Sequence, residues 1–428
     1  MIKRLVALFA MLTLPAAADL AHGQSPAGPP AGPKIYVGLF KEDVVAVLDP
    51  AERRVVGRIP VPRGPHGLVI TPDGRKVYVS SDGASTVSVI DTASDRVVGS
   101  VEVGPNPHGL AVSADGRRVL VSAWGANEAL VLDTATDRIT TRVPVARAHN
   151  GAFAPDGKTA YVGSQQQGAT ALVVIDLERG LERARVPLDR TPRALDASPD
   201  GRWLYFTVAG DDAVHVLETA TNRPAGRIPV GASPHHAPFT PDGRRALVPS
   251  QGPGELAVVE VASRSVSGVI SVGKTPHWVT ASSDGRLAYV ANEGSGDVSV
   301  VDLEARSVLA TIPVGQSPRK IAAQPGPPRA AAPTASIVSV EAEDYAFKPA
   351  SIRGRPGDRL HLRLISRSST LHNITVPGQG VDRDIEPGAT VEVPVTLPSA
   401  GVVPFFCKFH EALGQRGELV AAVPRAAR

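Results

Sequence analysis

Between Pro65 and Pro318 the pattern of apolar and polar positions repeats with a long, nearly constant period. Each unit opens on a Pro-x pair, passes an Asp-Gly turn and enters an apolar run of the Val-Tyr-Val-Ser kind. A Gly- or Asp-bearing turn, a Val-Ser-Val-Ile-Asp-Thr segment and a last Val/Ile-rich run complete it. Asp73, Asp115, Asp156, Asp200, Asp242 and Asp284 each precede a Gly, at spacings of 42, 41, 44, 42 and 42 residues. A period of about 40–45 residues holding four short strands points to propeller blades. Thr86-Val87-Ser88-Val89-Ile90 and Asp297-Val298-Ser299-Val300-Val301 alternate with period two, as half-buried β-strands do.

Innermost strands are predicted near residues 66, 108, 149, 193, 235, 277 and 319, and three-strand groups near 35, 76, 118, 159, 203, 245 and 287. Both sets number seven. The first group lacks an inner strand and the last inner strand lacks a group. Joining them completes a seventh blade and leaves no sheet edge exposed. Pro72-Asp73-Gly74-Arg75-Lys76-Val77-Tyr78-Val79 and Val87-Ser88-Val89-Ile90-Asp91-Thr92 resemble the YVTN family of propeller repeats, and the likeness runs over roughly residues 34–325. It implies a seven-bladed β-propeller over residues 34–323 and says little about function.

Residues 324–335 read as a Pro/Ala-rich linker, extended and semi-rigid. Beyond it the long period vanishes. Strand patterns at Ser336–Ala342, Arg359–Ser366, His372–Val376, Thr390–Thr396, Val402–Phe406 and Glu418–Val423 predict a β-sandwich over residues 336–424. The fold class is therefore all-β, a propeller followed by a sandwich.

Cys407 is the chain's one cysteine, so no disulfide can form within the chain. Either it is a buried, inert thiol or a metal protects it as thiolate. It opens the run Cys407-Lys-Phe-His410-Glu-Ala-Leu-Gly414-Gln415-Arg-Gly417, with His372-Asn373 lying 35 residues upstream. A loop between two strands can set Cys407 and His410 on one side of an ion, and a His from a neighbouring strand can close a trigonal set. Thiolate plus two imidazoles suits copper, with a weak axial ligand completing the site. Together with Phe347-Lys348-Pro349, Ile352 and Pro356-Gly357-Asp358, these residues resemble the cupredoxins, particularly the plastocyanin and amicyanin type, over nearly the whole domain.

That resemblance implies one mononuclear type 1-like (blue) copper held by His372, Cys407 and His410. Gly414 and Gly417 flank the family's axial position, usually Met and here Gln415. The chain's two methionines, Met1 and Met11, both lie at the N-terminus. An amide oxygen is an axial alternative in stellacyanin-like members, and a harder oxygen donor favours Cu(II) and lowers the potential relative to Met. Otherwise Gln415 turns away and leaves three ligands. A binuclear copper centre needs two thiolates, and covalent c-type haem needs a C-x-x-C-H; the sequence has neither. His361 and His215 read as exposed strand residues.

Aligning the inner strands produces one basic column: His66, His108, His149, Arg193, His235, His277 and Arg319, at spacings of 42, 41, 44, 42, 42 and 42. Equivalent repeat positions share one level around a propeller axis. The column reads as a second metal site, a small-anion site or a wet polar channel. His236 and Trp278 sit beside it. Nitrous oxide reductase is similar in architecture, joining a seven-bladed propeller with a His-ligated copper cluster to a C-terminal cupredoxin.

Composition narrows the classes. The chain has 428 residues, 43% hydrophobic and 4% aromatic, with 41 Gly and 39 Pro, which favours short strands and turns over long helices. Net charge is +3 with basic residues scattered singly, so nucleic-acid binding has no support. Lys3 and Arg4, the apolar stretch Leu5 to Pro15, and Ala16-Ala17-Ala18 predict a signal peptide over residues 1–23. No segment is long enough to span a membrane, so a periplasmic or secreted protein is expected. The leading expectation is an electron carrier rather than an enzyme, with the propeller as docking platform and a cytochrome or another cupredoxin as redox partner. A copper oxidoreductase using the propeller column and a non-redox copper-binding scaffold are the alternatives. Oligomeric state stays open, a dimer included.

Overall fold

A computed structural model describes residues 33–326, 336–354, 358–398 and 400–421. The expected signal peptide, residues 327–335 of the expected linker, and Pro356 and Gly357 lie outside them. The chain divides into two compact units between Gly326 and Pro327. Gln324, placed at the head of the linker by sequence, still pairs with the first strand: its N–H donates to the Lys34 carbonyl at 2.8 Å.

The first unit is a seven-bladed β-propeller. Five sheets follow chain order, such as Pro65–Ile70, Lys76–Ser81, Thr86–Asp91 and Arg96–Glu102. The closing sheet joins the two ends of the unit: Pro318–Ala323 lies beside Ile35–Leu39, then Val44–Asp49 and Arg54–Pro60. Its register pairs Ile35 with Ala323 and Val37 with Ile321. Seven apolar clusters lie between neighbouring blades. Tyr36, Val45, Val77 and Val79, for instance, join the closing blade to the next. The middle strands are therefore covered on both faces. Ser88 and Ser299 are each 1% exposed, so the segments predicted as half-buried strands are fully buried. Alternation in them reflects small polar residues tolerated between blades: Ser299 Oγ accepts the Asn292 amide at 2.9 Å. Only the outermost strands, such as Arg96–Glu102, face solvent.

The Asp-Gly turns have a local cause. Gly74 and Gly116 adopt φ of 71° and 70°, a region open to glycine at no steric cost. The Asp side chain before them caps the turn: Asp73 accepts the Thr71 hydroxyl at 2.6 Å and the Arg75 N–H at 3.1 Å.

One blade departs from the expected pattern. The segment around His235 forms only isolated bridges, Pro234 with Ser250 and Phe239 with Ala246, and leaves a three-stranded sheet. Pro238 and the facing Pro249 have no N–H to give to a ladder, which breaks it between those bridges.

The second unit is a cupredoxin sandwich. One sheet runs Ala346–Lys348, Ser336–Glu343, Arg359–Ser366 and Thr390–Thr396. The other runs Ser351–Gly354, Arg416–Ala421, Val402–Phe406, His372–Val376 and Val381–Ile385. Val340, Phe347, Leu362, Leu364, Ile374, Phe405 and Leu419 fill the space between, with Cys407 at its end. Ala346–Lys348 and Ser351–Gly354 fall on Phe347-Lys348-Pro349 and Ile352, whose resemblance implies an entry strand and turn, whereas the short strand Val381–Ile385 was not expected.

Neighbouring inner strands approach closely where glycine allows it. A Cβ on Gly109 would meet Asn150 Oδ1 at 2.2 Å and the His149 carbonyl at 2.6 Å. On Gly57 it would meet only Val47, at 3.5 Å. Gly109→Ala should destabilise the propeller by about 1–3 kcal/mol, whereas Gly57→Ala should stay within about 0.5 kcal/mol of wild type. Denaturant midpoints of the two variants measured side by side check this.

Candidate functional site

The cupredoxin residues converge. His372 opens the strand His372–Val376 and is fully buried, as is Cys407, which follows the strand Val402–Phe406. The loop from Cys407 to Gln415 closes on itself: Cys407 N–H donates to the Gln415 carbonyl at 3.1 Å and His410 N–H to the Cys407 carbonyl at 3.1 Å. Cys407 Sγ lies 3.6 Å from His410 Nδ1. Ligand atoms of His372, Cys407 and His410 all fall within 4.8 Å of one another, the sole such group of three among the described residues.

Gln415 is fully buried, and its side-chain oxygen points into this group. Oε1 lies 3.1 Å from His372 Nδ1 and 3.0 Å from His410 Nδ1. Its orientation is fixed from behind, because Nε2 donates to the Glu343 carbonyl at 3.0 Å and the Ala346 carbonyl at 3.2 Å. A flipped amide would set its oxygen against two carbonyl oxygens, so Oε1 must face inward. The donor set is thus a thiol sulfur, two imidazole nitrogens and an amide oxygen, which fits copper with a weak fourth ligand. Burial holds His372 below the ordinary imidazole range, which keeps a lone pair available at neutral pH.

Sequence reasoning missed the support around these ligands. Asn373, buried beside His372, donates its amide to Asp382 and Asp384 at 2.7 Å each. Lys408, next to Cys407, pairs with the same two carboxylates at 3.1 and 2.8 Å. The ligand loop is thereby tied to the strand Val381–Ile385. These contacts hold both carboxyls below the usual range, for Asp382 chiefly through Asn373 and for Asp384 chiefly through Lys408.

In the propeller the basic column also comes together. His66 stacks on His108 with centroids 3.7 Å apart, and His108 on His149 at 3.8 Å. His235 stacks on His277 at 3.9 Å, and His277 meets His66 edge-on at 6.0 Å. A ladder slip follows the opening residue of the inner strand in several blades, as between Pro65 and Leu68 or Pro107 and Leu110, and such bulges re-aim side chains. His108 Nδ1 and His277 Nδ1 lie 3.0 Å from the carbonyls of His149 and Arg319 in the next blades. A carbonyl only accepts, so both nitrogens carry hydrogen. Burial pushes His66, His108, His235 and His277 well below the ordinary imidazole range, and His149 to about 4.

One position past this ring, His236 and Trp278, which sit beside the column in the sequence, are joined by Lys320 and Asn150, which the column alignment does not flag. Lys320 is 2% exposed, and its Nζ sits 2.8 Å from the Trp278 ring centre and 3.3 Å from Asn150 Oδ1. His236 stacks on Trp278 at 3.4 Å and pairs with Asp196 at 2.6 Å. The equivalent residues in other blades are Gly67, Gly109 and Ala194, so this column has no period to detect; a charged residue next to the ring was its one signal. Asn150, Asp196, His236 and Trp278 line a cavity of about 450 Å³ together with mainly apolar residues, among them Leu68, Leu110 and Phe153. The two histidines read as exposed are half-buried. His215 pairs with Asp211 at 2.8 Å, and His361 lies on the strand Arg359–Ser366.

A family model for the cupredoxin-like domain matches residues 320–421, and one for the cytochrome D1 heme domain matches residues 37–238. The latter is a different propeller family from the YVTN repeats. None of the curated proteins matches the chain. Many solved structures are similar over about two-thirds of the chain, three of them as follows. Kuenenia stuttgartiensis hydrazine synthase is 19% identical, over 67% of this chain and 99% of its own, with a TM-score of 0.58. Dihydro-heme d1 dehydrogenase NirN, in complex with DHE, is 19% identical over 72% and 77%, with a TM-score of 0.52. Apo AztD from Citrobacter koseri is 15% identical over 69% and 98%, with a TM-score of 0.54. The N-terminal unit is propeller-like and the C-terminal unit a cupredoxin domain, which supports copper binding or electron transfer. Among the described residues no helix is long and apolar enough to cross a membrane.

The buried ring makes stability depend on pH. His149 stays neutral in the folded chain down to about 4, against 6.5 for a free imidazole. Between those values the unfolded chain binds a proton that the folded one refuses. Stability is therefore lost as pH falls, by about 1.4 kcal/mol per pH unit for each such histidine. In low-salt buffer, denaturant unfolding should show stability falling from about pH 6.5 downward, and His149→Asn should flatten the slope by about one proton. A profile with no slope there would contradict a neutral, buried ring.

Proposed function

We propose that the protein is an exported, periplasmic copper protein that carries electrons, with His372 Nδ1, Cys407 Sγ and His410 Nδ1 as copper ligands and Gln415 Oε1 as the axial one. The observation that carries this reading is the convergence of those four atoms, with the Gln415 oxygen oriented by two backbone carbonyls. Bound copper supplies a one-electron Cu(I)/Cu(II) couple.

The chain's own residues support the rest. Burial of Cys407 and His372 excludes water from the thiolate side. Rigid strands and the loop hydrogen bonds hold the donors in place without further rearrangement. His410 is half-buried, with Tyr345 packed edge-on against it at 5.4 Å. Around it Tyr345, Leu371, Phe409 and Leu413 are 51, 37, 45 and 61% exposed. Exposed apolar groups bracketing a ligand edge fit brief docking of a redox partner protein. The oxygen donor of Gln415 favours the oxidised ion and sets a lower potential than Met would.

Copper-loaded full-length protein should bind one copper at this centre and show an intense visible thiolate-to-copper band. Cys407→Ser should abolish that band, and a band that survives the change would remove the reading. Gln415→Met should raise the reduction potential, measured by redox titration at the same band. It should also lower cupredoxin stability by about 1–3 kcal/mol, because the Glu343 and Ala346 carbonyls lose their donor. An unchanged or lowered potential would exclude Gln415 as a ligand.

A further inference from the structure

The propeller channel holds more positive charge than its carboxylates neutralise. Arg319 is paired with Glu293 at 2.9 Å, and Asp196 is taken up by His236 at 2.6 Å. Lys320 has no carboxylate at ion-pair distance among the described residues; its Nζ meets only the Asn150 amide oxygen and the Trp278 face. The Arg193 guanidinium meets only Ser233 Oγ at 3.0 Å and the Pro234 carbonyl at 3.4 Å. Asn150 connects the two cations, since its amide nitrogen donates to the Arg193 carbonyl at 2.7 Å while its oxygen faces Lys320. Lys320 belongs to the closing blade and Asn150 to the third, on the far side of the ring, so the lysine side chain crosses the channel. Burial pushes the Lys320 amine well below its ordinary range, so an anion bound beside it would restore the charge that a side chain only 2% exposed otherwise gives up.

We propose that the propeller channel binds one small oxyanion on its axis, held by the Lys320 ammonium, the Arg193 guanidinium and the imidazoles of the ring. Donors come from several blades: Lys320 from the closing blade, Arg193 from the blade after that of Asn150, and the histidines from the strands between and beside them. Several acceptor oxygens suit that arrangement better than a single halide does. The Nδ1–H groups of His108 and His277 are anchored on backbone carbonyls, which supports a positive imidazolium when an anion faces the other nitrogen. A metal cation at the same place would meet Lys320 and Arg193. Moreover, among the described residues the ring does not bring three ligand atoms within 4.8 Å of one another.

The test uses metal-free, full-length Cys407→Ser protein, so that it stands apart from the copper reading. Sodium sulfate and sodium phosphate are titrated against sodium chloride at constant ionic strength, with heat of binding and thermal denaturation as readouts. Expected is saturable binding of one oxyanion per chain, with a rise in unfolding temperature that follows occupancy. Lys320→Met should weaken binding about tenfold or more, the loss of one charge-assisted contact. Arg193→Met should do so independently, which decides the matter even where Lys320→Met fails to fold. Absence of saturable oxyanion binding, or wild-type affinity in both variants, overturns the proposal. So does zinc or copper binding to the ring in this protein with no response to oxyanions.

Discussion

The middle strands of each blade are apolar on both faces, and only another blade can cover them. Everything else in the propeller follows from that. Tyr36, Val45, Val77 and Val79 meet across one junction, Tyr205, Val214, Ala246 and Val248 across another, and the series closes only when the last strand of the unit lies beside the first. A closed ring fixes equivalent repeat positions at one height. That is why five histidines far apart in sequence come together in two short stacks that meet edge-on, and why one residue further along the strands a second set, Asn150, His236, Trp278 and Lys320, comes together as well.

The cupredoxin unit uses a different constraint. Its core holds the strands, but the donor atoms are aimed by hydrogen bonds within one short loop and by a few groups behind it. Gln415 is the clearest case. Its nitrogen satisfies two carbonyls of the Glu343–Ala346 turn, and its oxygen is left facing His372 and His410. Asn373 and Lys408 do the same from the other side through Asp382 and Asp384. The acidic pair contributes none of the converging donor atoms yet ties down the loop carrying Cys407.

Sequence legibility followed from whether a pattern had a period or a fixed local spacing. The blade count and closure were readable because seven copies report the same register. The cluster of His372, Cys407, His410 and Gln415 was readable because three of them share one loop and the fourth, in a His-Asn pair, lies 35 residues upstream. Val381–Ile385 was not, because Val-Asp-Arg-Asp-Ile carries three charges on an edge strand and looks like a turn. Ser88 and Ser299 misled in the other direction: small polar residues imitate a solvent face where two blades in fact meet. Lys320 and Asp196 escaped because their columns vary from blade to blade, so no repeat argument touches them. The break near His235 was not foreseen, because the repeat predicted an inner strand there; its cause is Pro238, which falls inside that strand rather than at its first residue.

That unpaired stretch gives the ring a seam. Six inner strands join their sheets as regular strands, whereas the one carrying His235 and His236 is held by isolated bridges at Pro234 and Phe239 and by a few backbone bonds, such as His235 N–H to the Pro249 carbonyl and Leu247 N–H to the Pro238 carbonyl. Local opening draws on the segments with the fewest backbone bonds. Breathing of the channel wall is therefore concentrated in one-seventh of its circumference, next to Trp278 and the lysine that spans the bore.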